Sequence, residues 1–195
     1  MKEKIHLLLT LDHNYLPQLK ILLTSVALNN PGEKFVVHLL HDGIPKVNLT
    51  ALSVWNQEKG YDFDAIRMGS KLFQNAPASK KYPKAMYYRL LAAQFLPEKI
   101  ERVLYLDPDI LIINPLRPLW EMDMEGKLFA AAAHTGKTEL ANHVNRIRLG
   151  VDHDYYNSGV MLIDLARTRK IIQPEGLFAY VETHTKELLL PDRIF

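Results

Sequence analysis

Two carboxylates stand two residues apart in Val103-Leu104-Tyr105-Leu106-Asp107-Pro108-Asp109, at the end of an apolar run, and Ile110-Leu111-Ile112-Ile113 follows them. In extended chain, positions i and i+2 face the same side, with alpha carbons roughly 6.6 Å apart at about 3.3 Å per residue. Carboxylates so placed can share a hard divalent cation and leave positions open to phosphate oxygens and water. Pro108 biases Asp107 toward extended conformations and removes a competing backbone donor. A bare Asp-x-Asp is more often a solvated turn after a strand. Here apolar residues flank the pair on both sides, which predicts a buried framework in which unpaired charge is costly. That favours metal binding at Asp107 and Asp109.

The elements that must position this pair alternate along the chain. Residues 5–11 form a short apolar run ending at Asp12, the pattern of a strand buried on both faces. Residues 16–28 carry Leu19, Leu22, Leu23 and Val26 at helical spacing and stop at Asn29-Asn30-Pro31-Gly32. The spacing then predicts strands over 35–40, 61–66, 103–106, 128–133 and 159–163, with helices over 49–59, 86–95 and 174–187. Residues 74–83 read as a surface loop. The alternation implies an α/β domain with a mostly parallel sheet flanked by helices. Ligands of such sheets bind beyond the carboxyl ends of the strands, which singles out Asp12, Asp107 and His134.

Composition narrows the function classes. At 195 residues and 48% hydrophobic content, one domain over residues 1–195 with one sizeable core is expected. The 24 basic residues against 22 acidic ones leave +2 and no massed basic patch, which argues against nucleic acid as a partner. With no cysteine, disulfides and thiolate chemistry are excluded, so any metal must take oxygen or imidazole ligands. The first apolar run is too short to span a bilayer and lacks a small-residue cleavage site. The expectation is a cytoplasmic protein without a transmembrane segment, open to peripheral membrane association.

Four segments, in order, carry a family resemblance. Thr10-Leu11-Asp12-His13-Asn14-Tyr15 follows the first strand; Ala85-Met86-Tyr87-Tyr88-Arg89-Leu90 lies in a helix; Leu104-Tyr105-Leu106-Asp107-Pro108-Asp109 follows; and Tyr155-Tyr156-Asn157-Ser158-Gly159-Val160-Met161-Leu162-Ile163-Asp164 comes last. Together they resemble glycosyltransferase family 8, the retaining galactosyltransferase, glucosyltransferase and glycogenin-like group, over essentially the whole chain. The resemblance implies a GT-A-type, Rossmann-like nucleotide-diphospho-sugar transferase fold. It implies transfer of a hexose from a UDP-sugar, UDP-galactose or UDP-glucose, to a glycan or other hydroxyl acceptor with retention, dependent on Mn²⁺ or Mg²⁺. Thr10 and Leu11 would then offer backbone groups to the uridine, with Asp12 at the uracil, Asn14 at the ribose or phosphate and Tyr15 against the base. Arg89 would face the pyrophosphate, Asn157 and Ser158 the sugar, and Gly159 would permit a close backbone approach. Asp12 and Asn14 could also serve as caps of the following helix, and the two roles can coexist.

Some positions depart from the family pattern. Leu190-Pro191-Asp192-Arg193-Ile194-Phe195 stands where the family continues Leu-Pro-Asp-Gln-Asp, leaving Asp192 as the carboxylate for sugar contact. The family's third metal ligand, a downstream His, has no counterpart before Phe195, so the resemblance implies a nucleotide-sugar-binding portion lacking its C-terminal part. His134 stands where relatives often have an acidic residue, while His13, His143, His153 and His184 read as surface residues. Two other readings are a catalytically weak or inactive nucleotide-sugar binder and a haloacid-dehalogenase-like phosphatase, which also uses Asp-x-Asp after a strand. Against the phosphatase, Ile110 replaces the usual Thr or Val and a long α/β stretch precedes the motif. Gly136-Lys137-Thr138 lacks the first glycine of a phosphate loop, because Ala131 occupies that position.

Overall fold

The computed structural model describes residues 2–69, 72, 73, 76, 85–133 and 156–183. Its strands are β1 (Ile5–Thr10), β2 (Phe35–His41), β3 (Asp62–Arg67), β4 (Arg102–Leu106), β5 (Phe129–Ala133) and β6 (Tyr156–Asp164). Helices α1 (Leu16–Asn29), α2 (Lys46–Glu58), α3 (Ala85–Leu90), α4 (Arg117–Trp120), α5 (Leu165–Ile171) and α6 (Pro174–Thr183) connect or cover them. The six strands form one sheet in the order β3-β2-β1-β4-β6-β5. Strands β1 to β4 run parallel, whereas β6 lies antiparallel to both β4 and β5. This is the α/β fold expected, with a mixed edge.

The continuous apolar strands are explained by cover on both faces. Leu7, Leu9, Val37, Leu39, Leu104 and Leu106 pack on one side against Leu19, Leu22, Leu23 and Val26 of α1. Leu8, Leu40, Val103 and Tyr105 pack on the other against Tyr87 and Leu90 of α3, Leu165 of α5 and Val181 of α6. Fully burying one such side chain contributes roughly 1.5–3 kcal/mol, so β1 and β4 sit in the most heavily packed part of the molecule. Among the described residues, no helix is long and apolar enough to cross a membrane.

Several boundaries differ from the sequence expectations. The predicted helix over 86–95 ends at Leu90 and continues as a 3-10 turn over Ala92–Gln94. Pro97 disfavours helix at Leu96, and the Arg169 guanidinium from α5 takes the carbonyls of Ala93, Leu96, Pro97, Glu98 and Ile100. Strand β6 begins at Tyr156, three residues before the predicted start, because Tyr156 and Asn157 pair with Ala133 and Ala132 of β5. The 174–187 helix extends to Thr183, and its predicted remainder lies outside the described residues. Helices α4 and α5 add to the predicted set.

Candidate functional site

The strand order reverses between β1 and β4: the chain leaves β1 toward β2 and β3, while β4 is followed on its other side by β6 and β5. Such a switch point opens a crevice at the carboxyl ends of the strands. Thr10 ends β1, and Asp107 directly follows β4. The Asp107 backbone N–H donates to Gly159 O at 2.8 Å, carrying the β4–β6 ladder one residue beyond the strand.

A polar cluster lies at these strand ends. The Tyr105 hydroxyl donates to Asp107 Oδ1 at 2.5 Å and lies 3.3 Å from Thr10 Oγ1. Arg89, in the last turn of α3, reaches the same oxygens, with Nη1 3.2 Å from the Tyr105 hydroxyl and 3.3 Å from Asp107 Oδ1. Its guanidinium also stands over the Tyr105 ring, 5.2 Å from the centroid. The Arg89 side chain is 7% exposed and that of Asp107 33%, so the ion pair is buried on its cationic side and open on its anionic side. Arg89 thus packs into the interior and does not run its stem along the surface. Burial, reinforced by the Asp107 carboxylate and opposed by Arg89, raises the Tyr105 phenol above its ordinary pKa and keeps it a donor.

On the paired strand, Asn157 and Gly159 lie beside Asp107. Asn157 Oδ1 accepts from the Gly159 N–H at 2.9 Å, and the β5–β6 register shifts between Ala131 and Ala132. Bulged strands of this kind re-aim side chains next to binding sites. A Cβ on Gly159 would stand 3.0 Å from Asp107 Oδ2, so the absence of a side chain there is what lets the carboxylate lie against β6. Ser158 is buried and Asn157 exposed.

At the end of β1, Leu11 is buried and donates from its N–H to Leu40 O at 3.4 Å. Asp12 caps the following 3-10 turn, accepting from Asn14 N at 2.8 Å and from Asn14 Nδ2 at 3.3 Å. The cap is therefore real, and it holds the two side chains together just after β1. Tyr15 is exposed beside them, and His13 is also exposed.

Two expectations about the carboxylate pair are corrected. Pro108 and Asp109 form a turn, so strand periodicity does not relate Asp107 to Asp109; the fixed φ of Pro108 suits a turn. The apolar run after the pair is not uniformly buried: Ile112 is, but Leu111 and Ile113 are 62% and 76% exposed, as is Asp109 at the surface. The cost of burying charge therefore bears on Asp107 and Arg89, not on Asp109. Tyr105 is the site residue that sequence reasoning missed, although its signal was there: it is the i−2 neighbour of Asp107 along β4.

Carboxylate oxygens suit a hard cation, and Asp107 and Asp109 remain the residues that could hold one. Among the described residues, no three His, Asp or Glu side chains gather into a ligand set. His134, Asp192, Tyr155, His143, His153, His184 and Gly136-Lys137-Thr138 lie outside the described residues, as does most of 74–83.

Residues 6–191 match the model of the family described as Glycosyl transferase family 8. The chain is 27% identical over 195 residues to General stress protein A of Bacillus subtilis, covering 98% of this chain and 67% of that protein. It is 26% identical over 185 residues to Lipopolysaccharide 1,2-glucosyltransferase of Escherichia coli, covering 94% of this chain and 55% of the relative, so it spans little more than half that protein's length. The crystal structure of galactosyltransferase LgtC in complex with donor and acceptor sugar analogs superposes with a TM-score of 0.81 at 23% identity, over 96% of this chain and 70% of that one. Its fold is thus the GT-A glycosyltransferase fold.

Proposed function

Because the chain belongs to glycosyl transferase family 8, we propose that it takes part in transferring a hexose from a UDP-sugar, UDP-galactose or UDP-glucose, to a hydroxyl acceptor such as a glycan. The reaction is metal-dependent, proceeds with retention at the anomeric carbon, and takes place in the cytoplasm. The observation that carries this reading is the Thr10–Tyr105–Asp107–Arg89 cluster at the β1–β4 switch point, one buried cation beside a part-exposed carboxylate. The names of the relatives, glucosyl- and galactosyltransferases, support a hexose.

In this reading the capped Asp12–Tyr15 turn receives the uridine, with Tyr15 against the base and the backbone of Thr10 and Leu11 alongside. Arg89 binds the diphosphate, whose negative charge grows as the glycosidic bond breaks, so its attraction is strongest in the transition state. Asn157, Ser158 and Asp192 orient the sugar. Asp107 and Asp109 hold Mn²⁺ or Mg²⁺, which when bound adds positive charge against the same diphosphate. Arg89 already neutralises part of Asp107, so the pair alone binds the ion weakly and the diphosphate strengthens it.

The test is calorimetric titration of UDP with Mn²⁺ and with EDTA, for the wild type and for Asp107→Asn and Asp109→Asn. Each variant is expected to lose at least tenfold in the Mn²⁺-dependent affinity, since a charged oxygen ligand goes while shape is kept. Unchanged affinity in both variants defeats the metal assignment. Mass spectrometry of products from a panel of UDP-sugars then separates a transferase from a binder.

A further inference from the structure

The cluster converges on the Tyr105 hydroxyl. That one oxygen meets Asp107 Oδ1, Thr10 Oγ1 and Arg89 Nη1 at 2.5, 3.3 and 3.2 Å. We propose that Tyr105 is a positioning residue that fixes the orientation of the Asp107 carboxylate and so sets the metal-dependent part of nucleotide affinity. The inference rests on the metal-dependent nucleotide reading of this site.

The terminal torsion of an aspartate is broad, so a carboxylate at a strand end keeps its orientation only through what touches it. Tyr105 and Arg89 engage one oxygen of Asp107, and the bare Cα of Gly159 faces the other. The two donors differ in how firmly they are held. Arg89 is a full charge on a long stem, and an arriving diphosphate attracts it. Tyr105 is neutral, and its ring is locked in the core with Leu8, Val103, Met161 and Ile163. As Arg89 turns to an anion, the phenol remains as a contact that holds Asp107 Oδ1 in place. Packing alone does not call for tyrosine here. Phenylalanine would fill the same space without a buried hydroxyl that must find partners.

The experiment titrates UDP into wild type and Tyr105→Phe with Mn²⁺ and with EDTA, and follows Mn²⁺ binding alone by electron paramagnetic resonance. Tyr105→Phe is expected to lose about ten- to a hundredfold of the Mn²⁺-dependent affinity, the range for one hydrogen bond to a charged acceptor, and to keep its affinity in EDTA. Wild-type Mn²⁺ dependence in the variant overturns the proposal, and so does an equal loss with and without the metal, which marks a general structural role. A wild type that ignores Mn²⁺ defeats the metal reading and this inference with it, and the wild-type arm alone reveals that case. Should Tyr105→Phe not fold, para-fluorophenylalanine at position 105 fills the volume without donating, and the same two outcomes apply.

Discussion

Arg89 is buried and Arg169 half-buried, and their partners differ in kind. Arg169 binds only main-chain carbonyls, those of Ala93, Leu96, Pro97, Glu98 and Ile100. Arg89 faces a phenol and a carboxylate one-third open to solvent. Carbonyls of a turn cannot be exchanged for a ligand without unfolding the turn, whereas a carboxylate at the rim of a crevice shares its cation with any anion that enters. The first arginine is therefore architecture, and the second is the one proposed to bind a ligand. They are also connected, because Arg169 secures the segment that follows α3, the helix carrying Arg89.

The strongest way to break this contrast is to remove Arg169. Arg169→Met leaves several carbonyls without their donor and is expected to cost about 3 kcal/mol of stability, read as the urea midpoint, with UDP affinity unchanged. A loss of UDP affinity with little change in stability would reverse the roles assigned to the two arginines.

Acid sharpens the comparison, because guanidinium groups do not titrate there. His38 is buried beside His6, with His6 Nδ1 2.9 Å from its Nε2, and burial lowers its pKa from 6.5 to about 4. The unfolded side chain takes up a proton below about 6.5 and the folded one only near 4, so stability is lost as pH falls through that window. Wild type should lose roughly 1–2 kcal/mol between pH 7 and pH 5. The gap between wild type and Arg169→Met should stay constant over the same range, and a gap that closes with acid would tie Arg169 to a titrating group.

The smallest effect on the fold is expected at Arg89. Arg89→Met should weaken UDP about tenfold, the size of one charge-assisted contact, while the urea midpoint moves by less than about 1 kcal/mol, since water reaches the open side of Asp107. Equal UDP binding by the variant would leave Arg89 as a second structural arginine.

The sequence made the sheet legible because each strand of the core is a continuous apolar run and α1 stops at its turn signal, so periodicity alone decided those elements. It placed Asp12 and Asp107 at strand ends as well, where the structure has them. What stayed hidden was set by partners far along the chain. The early end of α3 depends on Arg169 from α5. The start of β6 depends on pairing with β5. At Asp-Pro-Asp the two-residue spacing relates Tyr105 to Asp107, both on the β4 register, while proline turns the chain before Asp109.

The crevice is sewn together from distant sequence. Thr10 and Tyr105 are separated by 95 positions, and the backbone of Asp107 meets that of Gly159 only when β6 has returned beside β4. Contacts of such long sequence separation close slowly, because the loop entropy is lost before any contact rewards it. A nascent chain that has not reached Gly159 lacks the part of this cluster that lies against Asp107 Oδ2. The cluster is thus an attribute of the finished sheet, and any function that rests on it begins only when β1, β4 and β6 lie side by side.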